Sequence, residues 1–140
     1  MIVDMAGVNV PVDPAANFPS RVIVGKTMLH LPDWSAIELP EHQRRIHASG
    51  GVNASLMLPL LRQNVCIGVL VLIRARPGAF SEKEIALAES FRDQAVIAIE
   101  NVRLFNETKE ALEQQKASAE ILSVISSSVS DTKPVFDKIL

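Results

Sequence analysis

The chain has 140 residues, 48% apolar and 21% charged, with 14 basic against 16 acidic residues and a formal net charge of −2. That balance belongs to a globular chain with a real core and excludes a disordered one; with no run of Lys or Arg, no nucleic acid partner is expected. The one cysteine, Cys66, excludes an internal disulfide framework or a zinc site of paired thiolates, and fits a reducing, cytoplasmic setting.

The start, "MIVDMAGVNV", lacks the basic residues and long apolar run of a signal peptide. From Met1 to about Gly51 prolines at 11, 14, 19, 32 and 40 break the chain repeatedly. Extended pieces at Arg21–Val24 and Thr27–Leu31 and a helical turn or two over Glu41–Ala48 fit between them. Ser49-Gly50-Gly51 then forms a flexible joint.

A β-hairpin follows: "NASLMLPLL" and "VCIGVLVLIR" flank the polar turn Arg62-Gln63-Asn64. Strict alternation along the second strand puts Val65, Ile67, Val69, Val71 and Ile73 on one face and Cys66, Gly68, Leu70 and Leu72 on the other. Both faces are apolar, so the sheet must be covered on both sides. Helices are expected on one side and the irregular first region on the other. The apolar run Val65–Ile73 is too short to span a bilayer, so no direct membrane insertion is expected.

Pro77-Gly78 turns the chain into a helix. Ser81 and Glu84 have capping-box spacing, and Ile85, Ala88, Phe91, Ala95, Ala98, Val102 and Phe105 form one apolar stripe for the sheet. Between Gly78 and Pro134 there is neither Gly nor Pro. A helix continuous from Ser81 to Ser126 would be roughly 70 Å long at about 1.5 Å per residue. A helix of that length needs a partner, and a parallel copy of itself is the simplest one. Val102, Phe105, Leu112, Ala119 and Leu122 are the seam residues expected to make a homodimer. Thr108, Lys109, Gln115 and Lys116 weaken that seam. In "SSSVSDTKPVFDKIL" the Ser-rich stretch is expected to interrupt the helix and Asp131 to cap a new one.

"SLMLPLLRQNVCIGVLVLIRARPGAFSEKEIALAESFRDQAVIAIENVRLFNE" strongly resembles the C-terminal half of a GAF domain. The matching elements are Pro59-Leu60-Leu61, Ile67-Gly68-Val69-Leu70, Phe80-Ser81 and the helix from Asp93 to Phe105. "VNVPVDPAANFPSRVIVGKTMLHLPD" is similar to the family's later loop, shortened helix and strand. The family's opening helix and first two strands have no counterpart before Val8, so the resemblance implies a partial domain, with an open sheet edge that invites pairing. "ALEQQKASAEILSVISSSVSDTKPVFDKIL" is similar to the linker between consecutive GAF domains of bacterial multi-GAF sensor histidine kinases.

The resemblance implies an α/β (α+β) fold: an antiparallel sheet with a packed C-terminal helix that continues into a long signalling helix. It divides the chain into a partial GAF-like domain (1–106), a linker or coiled-coil helix (107–129) and the truncated start of a following GAF-like domain (130–140). The function it implies is sensory and non-catalytic, in two-component signal transduction. Ligand or partner state would pass through a dimeric helix to a kinase or other output domain. The alternative is a dimerisation or scaffold module without ligand. Met28, His30, Trp34 and Met57 are the candidate lining of a ligand cavity, by the resemblance; ordinary packing is the competing reading.

Other chemistry finds little support. The family's cyclic-nucleotide binders carry an Asn-Lys pair that is absent here, and Phe80 is followed by Ser-Glu-Lys-Glu-Ile. Cys66 lies in an apolar strand and reads as a small hydrophobe, not a bilin attachment site. A lone cysteine cannot complete a sulfoxide-reducing cycle. His42 and His47 stand at neither i+3 nor i+4, so no metal or cofactor is expected. Ser81 serves as a cap, and Asp93 and Glu100, beside Arg92 and Arg103, read as solvated ion pairs, so no catalytic residue is assigned.

Overall fold

The computed structural model describes residues 2–3 and 9–139, with side chains described for 9–129. Two short strands, β1 (Ile2–Val3) and β2 (Asn9–Val10), pair antiparallel. Then come α1 (Phe18–Gly25), β3 (Leu29–Leu31), a 3-10 turn (Trp34–Ala36), α2 (Glu41–Ala48), β4 (Ala54–Arg62), β5 (Val65–Arg74) and α3 (Glu82–Ile139). The second sheet is antiparallel in the order β3-β4-β5. The chain divides into two compact units, residues 1–98 and 99–140.

In the first unit, β4 is buried almost throughout, on both faces. Ala54, Leu56 and Leu58 pack with Phe80 and with Ala88 of α3, and Leu70, Leu72 and Ile85 join them. On the opposite face Met57 packs with Phe18 and Val22 of α1, with Trp34, Leu39 and Val52, and with Leu29, Leu31, Ile46 and Val69. The sheet is therefore a middle layer between α3 and a cap built from α1, the 3-10 turn and α2. Two-sided apolarity along the hairpin demanded this arrangement.

Four local readings need correction. Arg21–Val24 is not extended but the middle of α1. Asn17 caps that helix by accepting from Ser20 N at 2.8 Å, and Pro19 lies in the first turn, where its missing N–H costs nothing. Alternation along β5 is broken at Ile67, because Leu60 pairs with Gly68 while Leu61 pairs with Cys66. This β-bulge puts Cys66 on the same face as Val69, Val71 and Ile73, and moves Val65 to the other. The capping box is only half made. Glu84 N donates to Ser81 Oγ at 3.2 Å, but the Glu84 carboxylate pairs with Arg74 instead of returning to the cap. Finally, the expected stripe on α3 joins the cluster under the sheet at Ile85 and Ala88, while Phe91 is 55% exposed.

The hairpin turn is Gln63-Asn64, both with positive φ (47° and 65°), the sense of turn that matches strand twist. α2 ends through Ser49, after which Gly50 takes a left-handed φ of 77°, a conformation glycine adopts without strain. α3 is continuous through Ser126–Ser130 and on to Ile139, against the expected interruption. Serine costs a helix little, and no residue before Pro134 forbids helical dihedrals. The side chains of 130–140, where a second GAF-like domain was expected to begin, lie outside the described residues.

Replacing Leu56, which is wholly buried, by Ala should cost about 2–5 kcal/mol. The same change at exposed Leu87 should stay within about 0.5 kcal/mol. Urea unfolding of both variants checks the contrast.

Candidate functional site

Four contacts gather β3, the β5 end and the start of α3 at one end of the sheet. Gly78 N donates to Pro32 O at 2.8 Å, and Phe80 N donates to His30 Nε2 at 3.0 Å. Arg74 lies over the Phe80 ring, 4.1 Å from its centroid, and pairs with Glu84. His30 meets Phe80 edge-on, and because its Nε2 accepts, its proton resides on Nδ1. The ring thereby ties β3 to the segment that leads into α3.

Trp34 is 2% exposed and anchors the cap. Its indole Nε1 donates to Ser55 Oγ at 3.0 Å, its backbone N donates to Asn53 O at 2.8 Å, and its ring meets Phe18 edge-on. Asp33 positions it by accepting from Ser35 N and Ser35 Oγ. Those bonds hold the Asp33 carboxyl below its ordinary range, the Ser35 hydroxyl contributing most.

Of the four lining candidates, Trp34 and Met57 share one apolar cluster. His30 pairs with Leu56 and so lies on the opposite, α3-covered face. Met28 precedes β3 and is 42% exposed. The four do not converge, and the space between sheet and cap around Trp34 and Met57 is filled by Phe18, Val22 and Leu39.

A concavity is found elsewhere, on the outer side of the cap. The Val10–Asn17 segment and α2 enclose an open groove of about 880 Å³, lined among others by Asp13, Asn17, Glu41, His42 and Arg45. Its first wall is built by turn chemistry: Asp13 Oδ1 accepts from Ala15 N at 2.9 Å, and Asp13 N donates to Ser20 Oγ at 3.0 Å. The second wall is one side of α2. On that same helix Gln43 is buried, and its Oε1 has no hydrogen-bond partner among the described residues. A guanidinium and an imidazole thus share a groove with two carboxylates, a set that can hold a small ligand carrying both charges. No local pattern in the sequence marks this groove, because its two walls come from separate segments of the chain. His47, also on α2, is tied down by Nδ1 lying 3.0 Å from Val52 O.

Among the described residues no three of His, Cys, Asp and Glu lie together as a metal site, and no helix is long and apolar enough to cross a membrane. Cys66 is half-buried, its thiol donating to Gly68 O at 3.2 Å. Asp93 pairs with Arg92, and Arg103 pairs with Glu100 and Glu107; Glu100 first, these carboxylates push the guanidinium pKa up.

The family model of the GAF domain matches residues 3–99. The chain belongs to the GAF family. The match takes in the proline-broken first region as well as the hairpin and the start of α3. No curated relative matches this GAF chain. Among solved structures it is similar to residues 122 to 287 of a methyl-accepting chemotaxis protein, at 22% identity and a TM-score of 0.59, over 71% of this chain and 63% of that one. It is also similar to the GAF domain of a phosphoenolpyruvate-protein phosphotransferase from Coxiella burnetii, at 19% identity and 0.54, over 64% and 52%. A third is the cyanobacteriochrome TePixJ GAF domain, at 14% and 0.54, over 74% and 61%. The chain thus spans between about half and two thirds of the length of these structures.

His30→Ala should leave Phe80 N without an acceptor and cost about 1–3 kcal/mol, measured by thermal unfolding. Trp34→Phe should cost a similar amount through the buried Ser55 hydroxyl.

Proposed function

We propose that this chain is a non-catalytic sensory GAF module of a signal-transducing protein of the sensor histidine kinase type. The single observation that carries the reading is the continuity of α3. The helix whose first turns pack on the sheet continues without a break to Ile139. Beyond the first unit it bears exposed apolar side chains, Phe105 at 69% among them. Val102, Leu112 and Leu122 are exposed in the same way. An isolated helix gains little from propensity, so these side chains are best covered by the same helix of a second copy. Family membership supports a regulatory role, and one structure of similar fold comes from a chemotaxis protein.

In this reading residues 1–106 form the sensing domain, 107–129 the linker helix and 130–140 the entry to a further domain. The groove between the Val10–Asn17 segment and α2 takes a small polar ligand, with Arg45 facing its anionic group and Asp13 or Glu41 its cationic one. Occupancy alters the packing of the cap on the sheet. The sheet passes the change to the start of α3 through Phe80 and Arg74, and the helix pair rotates or shifts register. The second reading, a scaffold module without ligand, is favoured by one observation: the interface between sheet and cap at Trp34 and Met57 is filled.

Sedimentation equilibrium should show a dimer, and Leu112→Pro, placed in the helix interior, should give a folded monomer. A wild-type monomer would overturn the helix-pair mechanism. Native mass spectrometry should find a small molecule retained by the wild type and lost from Arg45→Glu. A dimer retaining nothing would leave the scaffold reading.

A further inference from the structure

The bond between β3 and the segment entering α3 has a side chain as its acceptor. Phe80 N donates to Nε2 of His30, which stands 50 residues earlier in the chain, at 3.0 Å. Phe80 is 7% exposed and belongs to the cluster under the sheet with Leu56, Leu58 and Ala88. The next residue, Ser81, caps α3 by accepting from Glu84 N. His30 is half-buried, so protons from solvent can reach its ring. A backbone N–H that loses its acceptor away from water carries a full desolvation penalty. The charge state of one imidazole therefore decides whether Phe80 stays bonded to β3.

We infer that His30 is a proton-operated latch: a proton taken from solvent onto Nε2 breaks the bond from Phe80 N and frees the start of α3 from β3. A neutral imidazole offers one lone pair, and here the Phe80 N–H occupies it. Imidazolium has two N–H donors and no acceptor, so two N–H groups then face each other. The groups around the ring sharpen the effect. From β5 the Arg74 guanidinium stands over the Phe80 ring, 4.1 Å from its centroid, and Glu84 of α3 is already paired with it. β4 places apolar Leu56 opposite His30, and residues 77–81 carry no titratable side chain. Asp33, beyond Pro32, is engaged by Ser35. Among these groups the new charge meets a cation and no unpaired carboxylate.

Linkage fixes the direction. The latched state excludes this proton and the unfolded chain accepts it, so the bond contributes fully above about pH 8 and is lost as the pH falls toward about 5. His47 behaves differently, because its Nδ1 faces the carbonyl oxygen of Val52, to which a neutral or a charged ring can donate. His42 lines the open groove outside the cap. Release leaves the rest of the joint in place, since the bond from Gly78 N to Pro32 O and the packing of Phe80 with Leu56, Leu58 and Ala88 do not involve the imidazole. The opening is local, at Phe80 and the first turn of α3. That it carries a signal onward rests on the proposed sensory role; the latch itself does not.

Heteronuclear NMR on the full chain, with Phe and His labelled with heavy nitrogen, tests the latch between about pH 8 and pH 5. At the upper end His30 should show the Nδ1–H tautomer. As His30 takes up its proton, the Phe80 amide should shift upfield. Its protection from exchange should fall roughly two- to tenfold, the worth of one hydrogen bond. The Phe18 amide, under the cap, should not follow. His30→Gln offers an amide oxygen that accepts at every pH and should abolish the Phe80 response, whereas His47→Gln should leave it intact. A Phe80 amide unmoved while His30 titrates overturns the inference. So does a His30 ring that stays neutral throughout that range in the folded protein, or a response that persists in His30→Gln. Should His30→Gln fail to fold, the wild-type titration decides alone. His30 and Phe80 both lie within the first unit, so a monomer by sedimentation, which removes the helix pair, leaves the latch standing.

Discussion

β4 is the constraint on which the rest depends. Alternate side chains along it point to opposite faces, and on both faces they are buried from Ala54 to Leu60 and, Ser55 apart, apolar. A strand of this kind cannot lie at a surface. It requires two layers, and the chain provides them from very different sequence. One is the orderly start of α3, with Ile85 and Ala88 one turn apart; the other is a proline-broken cap fastened through Trp34. The cap's irregularity follows from its task. Short helices with their own caps at Asn17 and Asp33 can be set at independent angles over Met57, which one long helix could not do.

The same end of the sheet joins all the layers. Phe80 is held by the His30 ring from β3 and by Arg74 from β5, and Arg74 reaches on to Glu84 in α3. Half-exposed ion pairs contribute little by themselves. Here the pair sits over a buried aromatic ring, so its value lies in fixing where the helix begins. A displacement of either strand changes the packing of Phe80, and Phe80 immediately precedes the helix cap. That is the physical basis on which a sheet-borne signal could reach α3.

Misreadings of the sequence have specific causes. Pro19 reads as a breaker, yet a proline in a first turn preserves a helix, and Asn17 two residues earlier is the sign of one. The β-bulge at Ile67 was invisible because Val, Ile and Leu fill both registers equally, so the pattern carries no phase. Glu84 has capping-box spacing, but an arginine ten residues earlier competes for the same carboxylate, and only the hairpin brings the two together. The groove was missed for the same reason: Asp13 and Arg45 belong to unrelated segments until α2 folds beside the Val10–Asn17 turn.

Local rules in the sequence determined the hairpin, α2, the cap at Ser81, the demand for cover on both sides of the sheet and the run of α3 as far as the Ser-rich stretch. Each depends on residues a few positions apart, where periodicity, turn chemistry and the absence of Gly and Pro decide the outcome. Tertiary structure alone decided which partner each polar side chain took, which face His30 joined and where the concavity opened. Those depend on residues distant in the chain whose meeting is set by packing, and no local pattern records it.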